Sequence, residues 1–259
     1  MRLKVVLGSE HLSLPINYQH ILQGLIYSAF DQKKYGAFIH DKGYQLDNKK
    51  FKFFVFSNLF GDYKVENNII NFDGDVYFYV SSYNLDFINK LYEYLRNNPH
   101  LSLSRNKVEV KDIEVLNLDY FDDYKIVTLH ALSPIVAYIT RDKYVNYFKP
   151  SSDLFEQLCI NNLDDKNMAL DNPFDEIYFK ILNVSNEKKR LVNFKNSFYV
   201  SYLCDIKVKV NYYALKLIYD TGLSSKGSAG FGMMEIKWRA FSLYIIVANC
   251  LRKIILWFL

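Results

Sequence analysis

Glycine, proline, cysteine and tryptophan are scarce in this chain: ten, five, three and two residues among 259. The cysteines, Cys159, Cys204 and Cys250, are scattered and odd in number. That excludes a disulfide framework or a zinc knuckle of paired thiolates, and fits a reducing cytoplasm. Histidine numbers only five. No H-E-x-x-H, no Cys–His cluster and no carboxylate pair at ligand spacing occurs, so neither a metal nor a cofactor is expected. The opening "MRLKVVLGSE" holds too short an apolar stretch for a signal peptide. Uninterrupted apolar runs of spanning length are missing too. The strongest, "AFSLYIIVANCLRKIILWFL" (240–259), is broken by Arg252 and Lys253, whereas a span needs about 20 apolar residues with few or no charges. The extension 239–259 reads as an interfacial helix, a packed extension or a non-native end, and no membrane partner is expected.

A strong excess of one charge is also lacking. The net charge is +4 and the isoelectric point is near 8.7. The distribution is uneven: residues 1–122 hold 14 Lys/Arg against 15 Asp/Glu, net −1, and residues 123–259 hold 18 against 13, net +5. The positive half favours an anionic partner.

What the chain has in quantity is apolar and aromatic side chains. Half the residues are hydrophobic, with 22 Tyr and 20 Phe, enough for one large or two small domains. Aromatic rings stack on unpaired bases, and they are equally common strand and core residues.

Apolar periodicity divides the chain into two similar halves. In the first, a strand at 3–8 precedes a helix from about 18 to 33. Its buried stripe is Leu22, Leu25, Ile26 and Ala29, and its polar face is His20, Gln23, Gly24 and Tyr27. Strands at 51–61, 67–74 and 75–82 follow, with Asp73-Gly74 as the expected hairpin turn. A helix over 85–97 and a strand over 107–118 complete the order β-α-β-β-α-β, the ferredoxin-like pattern. The second half repeats it less clearly. Strands are expected near 125–131 and 134–140, then a helix over 151–163 with Ser152 and Asp153 as N-cap candidates. Strands at 174–182, 189–195 and 198–210, a helix over 211–220 and a strand over 231–238 follow. The expected architecture is α+β: two tandem ferredoxin-like domains, 1–122 and 123–238, then the apolar extension.

Scarce glycine makes one segment conspicuous. "TGLSSKGSAGFGMMEI" (221–236) gathers four of the ten glycines, Gly222, Gly227, Gly230 and Gly232, among Ser224, Ser225, Lys226 and Ser228. "GLSSKGS" has the frame of a Walker A loop, but Ser228 stands where the lysine belongs. The loop also joins a helix to a strand, the reverse of a phosphate loop's context. Two readings stay open: a tight helix-to-strand connection, or a backbone cradle for a nucleic-acid phosphate chain.

For chemistry, His40 in "YGAFIHDKGY" follows the first helix, beside Asp41 and Lys42, where an imidazole would meet substrate and titrate near neutrality; it reads equally as a solvated histidine. His130 lies within a strand and reads as structural. Without metal ligands, one phosphodiester reaction remains: attack of an RNA 2′-OH on its own 3′ phosphate. That reaction needs only a base, an acid and a cation, roles open to His, Tyr and Lys.

The runs "LPINYQHILQGLIYSAF" (14–30), "FIHDKGY" (38–44), "FKFFVFSNLFG" (51–61) and "GSAGFGMMEI" (227–236), in this order, resemble the CRISPR-associated endoribonucleases of the RAMP superfamily that process repeat RNA. The resemblance covers about 1–238. It implies two ferredoxin-like domains and a glycine-rich loop that contacts RNA, here Gly222, Lys226, Gly227, Ser228, Gly230 and Gly232. It also implies metal-independent cleavage of precursor CRISPR RNA to a 2′,3′-cyclic phosphate or 3′-phosphate end. Residue by residue, His40 matches the family's catalytic histidine, Tyr27 the tyrosine of the first helix and Lys52 the catalytic lysine, with Lys50 a close competitor. Repeat RNA is the expected partner. Further CRISPR-associated proteins of an effector complex and a second copy of the chain are candidates beside it. The alternative is a catalytically silent RNA-binding subunit of an effector complex. The extension after Trp238 departs from the family pattern.

Overall fold

A computed structural model describes residues 1–30, 44–142 and 144–238. His40, the "FIHDKGY" loop apart from Tyr44, and the extension 239–259 lie outside the described residues. Alternation shapes the first strand, β1 (Arg2–Gly8): Leu3, Val5 and Leu7 are fully buried while Lys4 and Val6 are half-exposed, as expected of a strand with one face on a core. β1 pairs antiparallel with β7 (Ile69–Ser82) on one side and β9 (Asn106–Leu116) on the other. Beyond β7 lie β2 (Leu12–Pro15), β5 (Phe54–Phe56) and β6 (Phe60–Glu66); beyond β9 lies β8 (His100–Leu103). Two helices cover one face, α1 (Gln19–Ser28) and α2 (Leu85–Asn97). Leu22, Leu25 and Ile26 of α1 and Phe87, Ile88, Leu91 and Leu95 of α2 interleave with the inward residues of β1 and β7. Asn84 caps α2 by accepting from the Phe87 N–H at 3.1 Å, satisfying one of the amides a helix start leaves unpaired.

The second unit is built the same way. β10 (Tyr124–Ala131), α3 (Asp153–Met168), β13 (Phe179–Phe194), β14 (Ser197–Asn211), α4 (Tyr212–Thr221) and β15 (Met234–Lys237) follow in sequence, and the sheet order is β13-β14-β10-β15. In both units the first strand pairs with the third and the fourth, so the molecule is a tandem of ferredoxin-like folds. Two small hairpins complete it: β3 (Tyr44–Leu46) with β4 (Lys49–Phe51), and β11 (Tyr138–Arg141) with β12 (Tyr144–Tyr147). No helix among the described residues is long and apolar enough to cross a membrane.

Three expectations are corrected. Asp73-Gly74 is not a turn but the middle of the 14-residue strand β7. The chain reverses instead at Asn67–Asn68, both left-handed at φ 50° and 62°, a conformation asparagine tolerates. The strands expected at 174–182 and 189–195 are one 16-residue strand, β13, whose register shifts between Ile181 and Asn183 and between Ser185 and Lys188. Those irregularities interrupt the apolar pattern without ending the pairing. At 134–140, only the last residues enter a strand, as the start of β11; Ile135 makes an isolated bridge to Tyr202.

The seam between the units is densely bonded. Phe53, left-handed at φ 48°, sends its ring into the core of the second unit, while the next residue, Phe54, belongs to the core of the first. Arg2 is buried at 3% exposure. Its guanidinium donates to Ser81 Oγ at 2.8 Å and to the carbonyls of Tyr219 and Met234 at 3.0 and 2.9 Å. It also lies 3.8 Å from the Tyr219 ring centroid. Taking a charge out of water is costly unless its donors are used. Here they tie β1 to the two ends of the glycine-rich loop.

Candidate active site

Tyr27 lies on the α1 face opposite Leu22, half-buried, its ring edge-on to Phe54 at 5.7 Å. Lys52 precedes β5, and its ammonium donates to the Tyr27 hydroxyl at 3.3 Å. Burial pushes the Tyr27 phenol well above its ordinary value. It therefore stays protonated at neutral pH, suited to donating a proton or orienting a hydroxyl rather than acting as a base. Lys50 and Lys52 share a cleft of about 220 Å³ with Ser225, Lys226, Gly227 and Ser228. The sequence's two lysine candidates thus face one cavity, and it is Lys52 that reaches Tyr27. His40 lies outside the described residues.

The glycine-rich loop is fixed to α1 by Gln23, whose amide donates to the Ser228 carbonyl and accepts from Lys195 Nζ at 2.8 Å. Of the polar face read on this helix, His20 and Gly24 are exposed, whereas Gln23 is buried. The structure brings Tyr27, Lys52, Lys226, Gly227 and Ser228 together. Gly222, Gly230 and Gly232 stand behind them in the packed part of the loop.

All four glycines are required by packing. Gly222, Gly230 and Gly232 take φ of +79°, +84° and +77°, conformations in which glycine escapes the penalty a Cβ brings. Gly222 also ends α4. A Cβ on Gly230 would stand 2.6 Å from the Phe56 ring, and one on Gly227 would stand 2.7 Å from the Thr221 carbonyl oxygen. The N–H groups of Leu223, Gly230 and Gly232 donate to Gly232, Gly227 and Pro134 carbonyls. The surface the loop presents is therefore that of Ser225, Lys226 and Ser228.

Lys166 of α3, buried at 3% exposure, reaches the beginning of this loop. Its ammonium points at the carbonyls of Thr221, Gly222 and Ser224 at 3.4, 2.6 and 3.2 Å. Burial lowers its pKa to about 7. Sequence reasoning missed Lys166 and Lys195, because a lysine on a helix or a hairpin tip reads as solvated. Gln23 carried a signal, as a polar residue one turn before Tyr27.

The remaining histidines stand elsewhere. His130 Nδ1 meets Asp205 Oδ1 at 2.5 Å on the second sheet, the structural position expected of it. His11 and His100 border a wide depression of about 1060 Å³ also walled by Glu10, Asp75 and Glu109. Its three carboxylates outnumber its two lysines, Lys107 and Lys111, the latter paired with Glu109, so it is a poorer seat for an RNA phosphate than the lysine-lined cleft. Among the described residues, no three His, Cys, Asp or Glu side chains are grouped to hold a metal ion.

Two family models match the chain in turn. Residues 13–114 match the family model for the CRISPR-associated protein Cas6, N-terminal, and residues 116–236 that for the CRISPR-associated protein Cas6, C-terminal. Two proteins of Methanocaldococcus jannaschii named CRISPR-associated endoribonuclease Cas6 are similar along nearly their whole length. One is 30% identical, covering 91% of this chain and 99% of its own; the other is 29% identical, covering 90% and 92%. A solved structure described as CRISPR associated protein Cas6 superposes with a TM-score of 0.71 at 26% identity, over 91% of this chain and 98% of that one. A structure described as a RAMP protein binding different RNA substrates shares the fold, with a TM-score of 0.72 at 19% identity over 92% and 100%. The chain belongs to the Cas6 family of CRISPR-associated proteins.

Proposed function

We propose that this protein is an endoribonuclease that cuts CRISPR repeat RNA within precursor transcripts, without a metal, in the cytoplasm. The observation that carries the reading is the meeting of Lys52 with Tyr27, from separate elements, beside a cleft that Lys52 lines together with the glycine-rich loop. In the proposed reaction the 2′-OH of the nucleotide before the cut attacks the adjacent phosphorus. The 2′-oxygen–phosphorus bond forms, the bond from phosphorus to the 5′ oxygen breaks, and a 2′,3′-cyclic phosphate remains. The 2′-OH proton passes to a base and the leaving 5′ oxygen gains one from an acid.

His40, carried over from the family resemblance, suits either proton transfer, since imidazole titrates near 6.5. The protonated Tyr27 phenol orients the nucleophile or donates to the leaving group. Lys52 stabilises the extra negative charge on the phosphorane, where a preformed cation is most effective. The RNA backbone runs along the loop 222–232. Lys226 and Ser228 face the phosphates, and Gly222, Gly227, Gly230 and Gly232 hold the loop's shape. Passage of the product to other CRISPR-associated proteins and pairing of two copies belong to the same reading; light scattering with and without RNA measures the latter.

Single-turnover cleavage and filter binding of the host's repeat RNA in EDTA test this assignment. His40→Ala should lower the rate at least about 100-fold, the range for losing an acid or base, and Lys52→Met should also be severely slowed. Affinity should change little, because phosphate contacts elsewhere supply most binding. Wild-type rates in both variants would overturn the roles given to His40 and Lys52, whereas RNA binding by the wild type with no cleavage would favour the silent RNA-binding subunit.

A further inference from the structure

Against the glycine-rich loop, the β11–β12 hairpin and the β13–β14 hairpin tip form a wall of rings. Tyr138 and Tyr147 are cross-strand partners with ring centroids 5.9 Å apart, and Phe194 and Tyr199 come from the other hairpin. All four are half-buried, packed against Val136, Val192, Ala229 and Phe231. The wall is therefore anchored to the glycine-rich loop itself, which contributes Ala229 and Phe231. The Tyr147 hydroxyl donates to the Phe198 carbonyl at 3.0 Å and locks one hairpin to the other.

Lys226 joins this wall to the cleft, and Lys195 joins it to α1. Lys226, which lines the cleft with Lys52, holds its ammonium 5.7 Å from the Tyr138 ring centroid and 5.9 Å from that of Tyr199. Lys195 lies 5.4 Å from the Phe194 ring and bonds to Gln23 of α1. Core filling explains why the rings are half-buried. It does not explain why the Lys226 ammonium borders both the rings and the cleft. Rings backed by a rigid core, with cations between them and a phosphate-sized cleft, are the combination that binds single-stranded nucleic acid.

We infer that this wall is a subsite that stacks unpaired bases of the RNA strand next to the cut, with Lys226 bridging the phosphates between cleft and wall. The inference rests on the proposed function. It commits to RNA as the occupant because the charge is complementary and the wall is continuous with the cleft. Stacked bases would hold the strand taut across Lys52 and Tyr27.

The test uses the full chain and repeat RNA blocked by a 2′-deoxy nucleotide at the cut, with 5-iodouridine placed in turn at each flanking position. Irradiation of the wild-type complex should cross-link one or more flanking positions to Tyr138 or Tyr199. Each of Tyr138→Leu and Tyr199→Leu should weaken binding about ten-fold, in the range for losing one base-on-ring stack. Tyr138→Phe and Tyr199→Phe, which keep the ring, should bind like the wild type. Cross-links confined to other residues, or Leu variants with wild-type affinity, would overturn the inference. If a Leu variant fails to fold, the wild-type cross-link map decides. A wild type that neither binds nor cuts the RNA would instead overturn the proposed function.

Discussion

The glycine-rich loop, which lines the cleft, and the paired hairpins, which pack on that loop, are built on opposite principles. The loop is made of residues chosen for lacking a side chain: Gly222, Gly227, Gly230 and Gly232 each leave room that protein atoms already occupy. The hairpins are made of residues chosen for their side chains, rings and lysines kept partly at the surface. The difference teaches where a substitution should register. On the proposed function, changes at the four glycines act through the fold, and on RNA only as a consequence. On the same proposal, changes at the exposed side chains of the hairpins act on the ligand and hardly on the fold.

The strongest way to break this comparison is Gly230→Val. A β-branched side chain at φ +84° is strained, and its Cβ meets Phe56 at 2.6 Å. Strain and overpacking together should cost about 3 kcal/mol, lowering Tm by roughly 10 °C. Calorimetry checks it. A variant that melts like the wild type would mean that the glycines serve something other than packing.

Lys166→Met sharpens the comparison through pH. The folded-state pKa of Lys166 is lowered to about 7 from an ordinary 10.5, by burial. Below pH 7 the lysine is charged in both states. Between 7 and 10.5 the unfolded chain binds a proton that the folded one does not, so this group makes stability rise with pH across that window. Methionine cannot titrate. Urea unfolding at pH 6.5 and pH 9 should show the wild type gaining on the variant at the higher pH. Equal differences at both would mean that burial does not govern this lysine. The variant also leaves three carbonyls short of a donor, which at either pH should cost about 1–3 kcal/mol and loosen the loop.

The smallest effect is expected on the hairpin side. Phe198 is 63% exposed, and Phe198→Ser should change stability by no more than about 0.5 kcal/mol, a Tm shift within roughly 2 °C. A larger loss would make that hairpin tip structural, like the loop.

Much of this was legible in the sequence, for identifiable reasons. The helix over 85–97 coincides with Leu85–Asn97, because an amphipathic stripe and an asparagine cap agree there. The first β-α-β-β-α-β order was legible because strand alternation and helix spacing differ in period, and the second less clearly, because the register shifts of β13 broke its alternation. The Asp73-Gly74 turn failed because Asn67–Asn68 is as competent to reverse the chain, and pairing with β1 and β6 on either side draws 69–82 into one strand. The glycine cluster was visible but ambiguous, since glycine serves a close-packed chain as well as a close-bound ligand. Only the positions of Phe56, Val55 and Thr221 reveal the packing use. Tyr27 and Lys52 were named through resemblance, and their contact depends on folding that brings α1 against the segment before β5. Lys166 gave no signal, as its burial depends on where α4 ends.

The central claim, that the Tyr27–Lys52 cleft cuts RNA through the substrate's own 2′-OH, is tested most directly by end-group analysis of single-turnover products. Wild-type protein in EDTA is given repeat RNA with and without one 2′-deoxy nucleotide at the cut. The account predicts a 2′,3′-cyclic phosphate from the unmodified RNA and no cleavage of the 2′-deoxy RNA. Cleavage of the 2′-deoxy substrate, or a 3′-hydroxyl product, would contradict it.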